Sequence, residues 1–96
     1  MTADEVTPGA VGLQLKTIVS GETMQDANTS VLIFPIAKLI YHLTEVMTLN
    51  PGDIIATGTP EGVGFARKPP RWLVPGDSVD VEVAQVGVLT NPIIAE

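Results

Sequence analysis

The chain has no cysteine, one histidine, only four aromatic residues and five Lys or Arg against eleven Asp or Glu. Each shortage removes a class of chemistry. Without cysteine there is no disulfide framework, no thiolate zinc site and no cysteine nucleophile, which is compatible with a cytoplasmic location. With Phe34, Tyr41, Phe65 and Trp72 as the aromatic complement, aliphatic side chains must fill any core. A net charge of −6 argues against nucleic acid or an anionic membrane as a partner. No apolar run approaches the length of a membrane span. The opening decapeptide MTADEVTPGA is polar and acidic and does not read as a signal peptide. Motif searches fail in an informative way. Gly64 is followed by Phe65 rather than Lys-Ser/Thr, so the glycines are not a P-loop. A dinucleotide fingerprint needs a helix after its glycines, and Pro69-Pro70 forbids one. There is no HExxH, GxSxG or EF-hand pattern. Local chemistry alone provides no complete catalytic set.

What is present centres on Pro51–Gly64, PGDIIATGTPEGVG. Pro51 pre-sets φ for the first corner of a turn, and Gly52 supplies the positive φ of a type II second corner. Ile54-Ile55-Ala56 is apolar without alternation, as expected of a short strand buried on both faces. It runs into Thr57-Gly58-Thr59-Pro60, with Gly62 and Gly64 close behind. A glycine-rich loop with two hydroxyls can bring backbone N–H groups close to a ligand. The same residues also suit a tight turn that merely contains threonines.

The rest of the 96 residues reads as one small domain spanning 1–96. Residues 1–10 form an entry loop. Val11, Leu13 and Leu15 alternate with polar neighbours, predicting a half-buried strand to about Val19. Ser20-Gly21 signals a tight hairpin, with Glu22–Gln25 as the returning strand and Asp26–Ser30 as a loop. Thr29 or Ser30 is placed to cap a helix. Ile36, Leu39, Ile40, Leu43 and Met47 recur at helical spacing over Pro35–Met47, and Pro35 suits the first turn. The triplet Pro-Gly-Asp recurs at 75–77, one turn chemistry used twice. Val79, Val81 and Val83 then alternate with Ser78, Asp80 and Glu82, a strand with one wet face. Val88–Thr90 is a short last strand.

Four other features invite a function. Asn28-Thr29-Ser30 matches the glycosylation pattern, which carries little weight without a secretory signal. His42 shares its helix side with Lys38 and Glu45 and has no cysteine or second histidine to work with, which suits a solvated polar face. Asp80 and Glu82 project from one strand face, as a metal pair or an ordinary polar edge, with no third ligand in view. Phe65–Trp72 holds Arg67, Lys68 and Arg71, which could attract an anion, lie in solvent or touch a subunit.

The run GETMQDANTSVLIFPIAKLIYHLTEVMTLNPGDIIATGTPEGVG, continued by LVPGDSVDVEVAQVGVLTNPI, resembles the C-terminal half of the fumarylacetoacetate hydrolase family. The resemblance rests on Gly21-Glu22, Gln25, Thr29-Ser30, Leu49-x-Pro-Gly-Asp, Ile55-x-Thr-Gly-Thr-Pro-x-Gly-Val-Gly, the Gly-Asp at 76–77 and Gly87-x-Leu-x-Asn91. It covers essentially the whole chain. It implies an α+β fold, a mixed, mostly antiparallel β-roll with one principal helix. It also implies a homodimer, or association with the N-terminal half, and a Mg²⁺ or Mn²⁺ enzyme acting on small 2-oxo, enol or dicarboxylic acids by C–C hydrolysis, isomerisation or decarboxylation. By resemblance, Thr59 binds the substrate carboxylate, Gly58 allows close approach, and Thr57 supports the loop. The family's Glu-x-Glu and Asp metal ligands, its His/Glu lid and its active-site Lys match nothing here. No catalytic or metal residue is therefore assigned, and Thr2-Ala3-Asp4-Glu5 aligns with the family's segment just after the metal-binding Asp. The alternative is a non-catalytic remnant acting as a small β-rich structural or dimerisation module.

Overall fold

Ser20 and Gly21 close the first hairpin. Both have positive φ, 49° and 87°, the pairing that a two-residue type I′ turn requires. In the computed structural model, which describes residues 1–95, this turn joins β1 (Gln14–Val19) to β2 (Glu22–Asn28). A second hairpin joins β3 (Ser78–Val83) to β4 (Gly87–Pro92), with Val86 N–H bonded to the Val83 carbonyl at 3.0 Å. The strands lie in the order β2-β1-β3-β4, and every neighbouring pair is antiparallel. The chain is thus α+β, one sheet and one principal helix. Within the described residues the sheet is wholly antiparallel rather than mixed.

Side-chain alternation turns this register into two unlike faces. Leu15, Thr17 and Val19 stand opposite Val83, Val81 and Val79, with Leu89 opposite Val81 on β4. That face is apolar. The other carries the Lys16–Asp26 ion pair at 3.7 Å and the Thr90 hydroxyl donating to Asp80 at 2.6 Å. β2 contains a bulge: Thr17 pairs with Gln25 and Ile18 with Thr23, so Met24 is the extra residue. Leu13, Val19 and Met24 are the buried apolar side chains.

The two Pro-Gly-Asp turns share one wiring. Asp53 N–H bonds Asn50 O at 3.1 Å, and Asp77 N–H bonds Val74 O at 3.0 Å. Each carboxylate accepts in return from the same residue's N–H, Asn50 at 2.8 Å and Val74 at 2.9 Å. Gly52 and Gly76 take φ of 100° and 97° at the corner that only glycine accepts readily.

Several expectations are corrected. β1 begins at Gln14 rather than Val11, because Ala10 and Gly12 have positive φ and break the extended run. β2 continues past Gln25 to Asn28, since polar Asp26 sits on the wet face and Lys16 pairs with it. Neither Thr29 nor Ser30 caps the main helix. Asn28 accepts from Ser30 N–H at the head of a short 3-10 turn, Thr29–Val31. The Thr29 hydroxyl instead accepts from Leu13 N–H and donates to Ala10 O. Helix α1, Ile36–Val46, starts after Pro35 without a side-chain cap. Ile54–Ala56 is not a strand, and Ile54 is 94% exposed. An isolated extended run has its backbone groups unpaired, and none of the four described strands lies beside this one.

Candidate functional site

The loop that follows Ala56 is docked on the bulged end of β2. A Cβ on Gly62 would lie 2.1 Å from the Met24 carbonyl oxygen, and one on Gly64 2.0 Å from that of Arg71. Both glycines therefore permit backbone-to-backbone contact that no other residue allows. Arg67 locks the contact. Its guanidinium donates to the Met24 carbonyl at 2.8 Å, to Thr23 O at 3.2 Å and to Gly62 O at 3.4 Å, and it pairs with Glu22 at 3.0 Å. One side chain thus ties strand to loop.

Gln25 makes the second tie. Its Nε2 donates to the Thr59 hydroxyl oxygen at 2.8 Å and to the Pro60 carbonyl at 2.9 Å, while its Oε1 accepts from the Thr17 hydroxyl at 3.0 Å. The Pro60 oxygen can only accept, so it decides which end of the amide faces the loop. Thr57, Gly58 and Thr59 are exposed. Gly58 has φ of 95°, and a Cβ there would meet nothing within 4 Å. Its glycine serves the backbone conformation rather than crowding inside the chain. Thr57 makes no side-chain hydrogen bond among the described residues. Gln25 and Arg67 were not foreseen as loop anchors. A signal existed for Gln25: the alternation sets this polar residue on the same face as Leu15 and Thr17.

The other candidates are spread apart. Arg71 pairs with Asp77 at 2.7 Å and Arg67 with Glu22. Two of the three cations of the basic loop are thus consumed by structure, and Lys68 alone has no ion pair among the described residues. The open hollow they line, about 420 Å³, also includes Glu22. Asp77 is the one buried charged side chain among the described residues. The Arg71 guanidinium, the Val74 N–H and the Ser20 hydroxyl all stabilise its anion and hold its carboxyl well below the usual carboxylate range. His42 lies exposed on α1, 3.2 Å from Glu45. Asp80 is engaged by Thr90, as described.

The profile of the fumarylacetoacetate (FAA) hydrolase C-terminal family matches residues 1–94. The chain belongs to the fumarylacetoacetate hydrolase family. Family relatives include the 4-hydroxyphenylacetate degradation bifunctional isomerase/decarboxylase of Escherichia coli, 49% identical over 92 residues, covering 96% of this chain and 20% of the relative. A mitochondrial oxaloacetate tautomerase of Bos taurus is 47% identical over 76 residues, 79% of this chain and 24% of its own length. Among solved structures, the fumarylacetoacetate hydrolase of Exiguobacterium antarcticum superposes with a TM-score of 0.93 at 36% identity, over 100% of this chain and 34% of that one. Maleylpyruvate hydrolase of Sphingobium sp. SYK-6, solved with manganese(II) and pyruvate, gives 0.84 at 42% identity, over 98% and 33%. The chain therefore spans a fifth to a quarter of these curated relatives and about a third of these solved chains.

A divalent ion such as that hydrolase holds is not accommodated by the residues seen here. No group of three or more His, Asp or Glu side chains converges among the described residues. Glu22 is committed to Arg67 and Asp77 to Arg71, Ser20 and Val74, and Glu61, next to the loop, has no second carboxylate or histidine gathered with it in such a group. No helix among them is long and apolar enough to cross a membrane.

Proposed function

We propose that this chain is the C-terminal part of a divalent-metal enzyme that acts on small 2-oxo or enol acids, and that it contributes the loop Thr57–Pro60 as the grip on the substrate carboxylate. In this reading Thr59 donates its hydroxyl, and the backbone around Gly58 turns N–H groups toward the anion. Thr57 supports the loop from its Ala56 side. The Mg²⁺ or Mn²⁺ of the complete domain is held by residues that this chain does not include. The observation that carries the reading is the double tie of the loop to β2 by Gln25 and Arg67. It immobilises an exposed hydroxyl that no packing requirement explains. The relatives support the substrate class, since two are named for oxaloacetate and maleylpyruvate and one was solved with pyruvate. A homodimeric assembly and a cytoplasmic location belong to the same proposal and rest on the family resemblance.

The test is a chimera in which this chain replaces the matching third of the maleylpyruvate hydrolase. The chimera is expected to hydrolyse maleylpyruvate in the presence of Mn²⁺, whereas the 96-residue chain alone shows no saturable Mg²⁺ or Mn²⁺ binding by calorimetry below the millimolar range. A folded but inert chimera would favour the non-catalytic remnant. Sub-micromolar metal binding by the chain alone would place the ligands within it and contradict the reading.

A further inference from the structure

Gln25 has a role that its place on an apolar face does not predict. Its amide nitrogen has two hydrogens, and the nearest acceptors are the Thr59 hydroxyl oxygen at 2.8 Å and the Pro60 carbonyl at 2.9 Å, with Glu61 O more distant at 3.4 Å. The Thr17 hydroxyl, 3.0 Å from Oε1, donates to the other end of the same amide. The amide is thus fixed at both ends, in a chain running from Thr17 through Gln25 to Thr59. An amide that accepts at its oxygen is a better donor at its nitrogen.

The consequence falls on Thr59. Its oxygen accepts from Gln25, so its own proton is directed elsewhere. No acceptor for that proton occurs among the described residues, and the residue faces solvent. We infer that Gln25 is a positioning residue that holds Thr59 as an outward hydrogen-bond donor, so that the loop selects ligands presenting an acceptor oxygen, a carboxylate or other oxyanion, over those presenting an ammonium or hydroxyl proton at that point. The inference rests on the reading of Thr59 as a ligand contact and adds what sets its polarity. Arg67 fixes where the loop lies. Gln25 fixes which way its hydroxyl points.

The test uses the ¹⁵N-labelled 96-residue chain. Its three glutamines, Gln14, Gln25 and Gln85, have separately assignable side-chain amides. In the parent chain one Gln25 amide proton is expected downfield of the free-glutamine position and slow to exchange. Thr59→Val, which keeps the shape and removes the acceptor, should move that proton upfield and speed its exchange about fivefold to tenfold, as befits one lost hydrogen bond. Thr59→Ser should restore both values. Gln25→Met should free the Thr59 side chain to average over its rotamers, read from its Hα–Hβ coupling, while the β1–β3 amides at Ile18 and Asp80 stay protected, a signature that general loosening would not give. A Gln25 side chain resonating at the free-glutamine position, or one indifferent to Thr59→Val, overturns the inference. Failure of the carboxylate reading would show instead as a chimera indifferent to Thr59→Val, with these amide shifts unchanged.

Discussion

Gly62 and Gly58 share a positive φ and differ in what surrounds them. At Gly62 an added Cβ meets the Met24 carbonyl at 2.1 Å, and at Gly58 it meets open space. Gly58→Ala therefore carries only left-handed backbone strain, about 1–2 kcal/mol, whereas Gly62→Ala must also push the loop off β2. We expect the second to cost at least about 2 kcal/mol, read as the shift in urea midpoint at constant slope. Equal midpoints for the two variants would mean that the loop is not seated on the bulge. Asp77 gives a prediction with a sign in pH. Its folded carboxyl is held below its ordinary value of 3.8, first by Arg71 and then by Val74 N–H and Ser20. A depressed acid contributes stability that is fully present above its unfolded pKa and is lost as pH falls through the folded one. The chain should therefore lose melting temperature as pH drops below about 4. Asp77→Asn should melt lower at pH 7 and be flatter across that window, by thermal scans from pH 3 to 7. The chemistry of these residues was legible at different depths. The Pro-Gly-Asp turns could be read from three letters because the two bonds that close each of them span three residues. The partners of Gln25 and Arg67 lie 34 and 43 positions away and depend on where the bulge falls.

The elements divide according to whether they carry their own partner. The first hairpin was readable because alternation and turn chemistry act within a dozen residues, whereas the last strand was read as Val88–Thr90 and runs from Gly87 to Pro92. The polar tail of β2 was not readable, since Asp26 looks like loop until Lys16 is set beside it by register. Ile54–Ala56 has the composition of a buried strand and remains irregular, because a strand requires a neighbour that composition does not provide. α1 is legible by its 3.6-residue period, yet it has no buried residue, and its main contact with another element is with the 3-10 turn Pro8–Ala10. An 11-residue helix is marginal in water without tertiary packing. In the isolated chain its amides from Ile40 to Val46 should exchange roughly a hundredfold faster than Thr17 and Val81 at the sheet centre. Equal protection by hydrogen exchange would show that α1 is stabilised by more than the contacts described.

For the whole molecule, the accessible surface is 7177 Å² for a 10.1 kDa chain. A compact monomer of that mass exposes roughly 5,300 Å². The surplus, roughly 1,900 Å², exceeds the ~800 Å² that one partner contributes to a standard interface. The radius of gyration, 15.6 Å, also exceeds the ~12.5 Å expected of a compact chain of this length. Val81 and Leu89 leave the apolar sheet face open, at 37% and 63% exposure. Such a surface suits a segment whose apolar face is covered within a larger assembly, in keeping with relatives several times its length. The family could be recognised from Thr57–Gly64 and the spacing of its neighbours, but this deficit of burial could not be read from composition, because apolar content does not say which faces meet. The proposed grip of Thr59 on a substrate carboxylate serves a metal site built from residues outside this chain. Its most direct test is kcat/KM for maleylpyruvate in the chimera with Mn²⁺ saturating. Thr59→Val should lower it about 10- to 100-fold, the worth of one hydrogen bond to a charged group, and Thr59→Ser should recover most of that loss. A chimera whose kcat/KM is unchanged by Thr59→Val would mean that Thr59 does not hold the carboxylate.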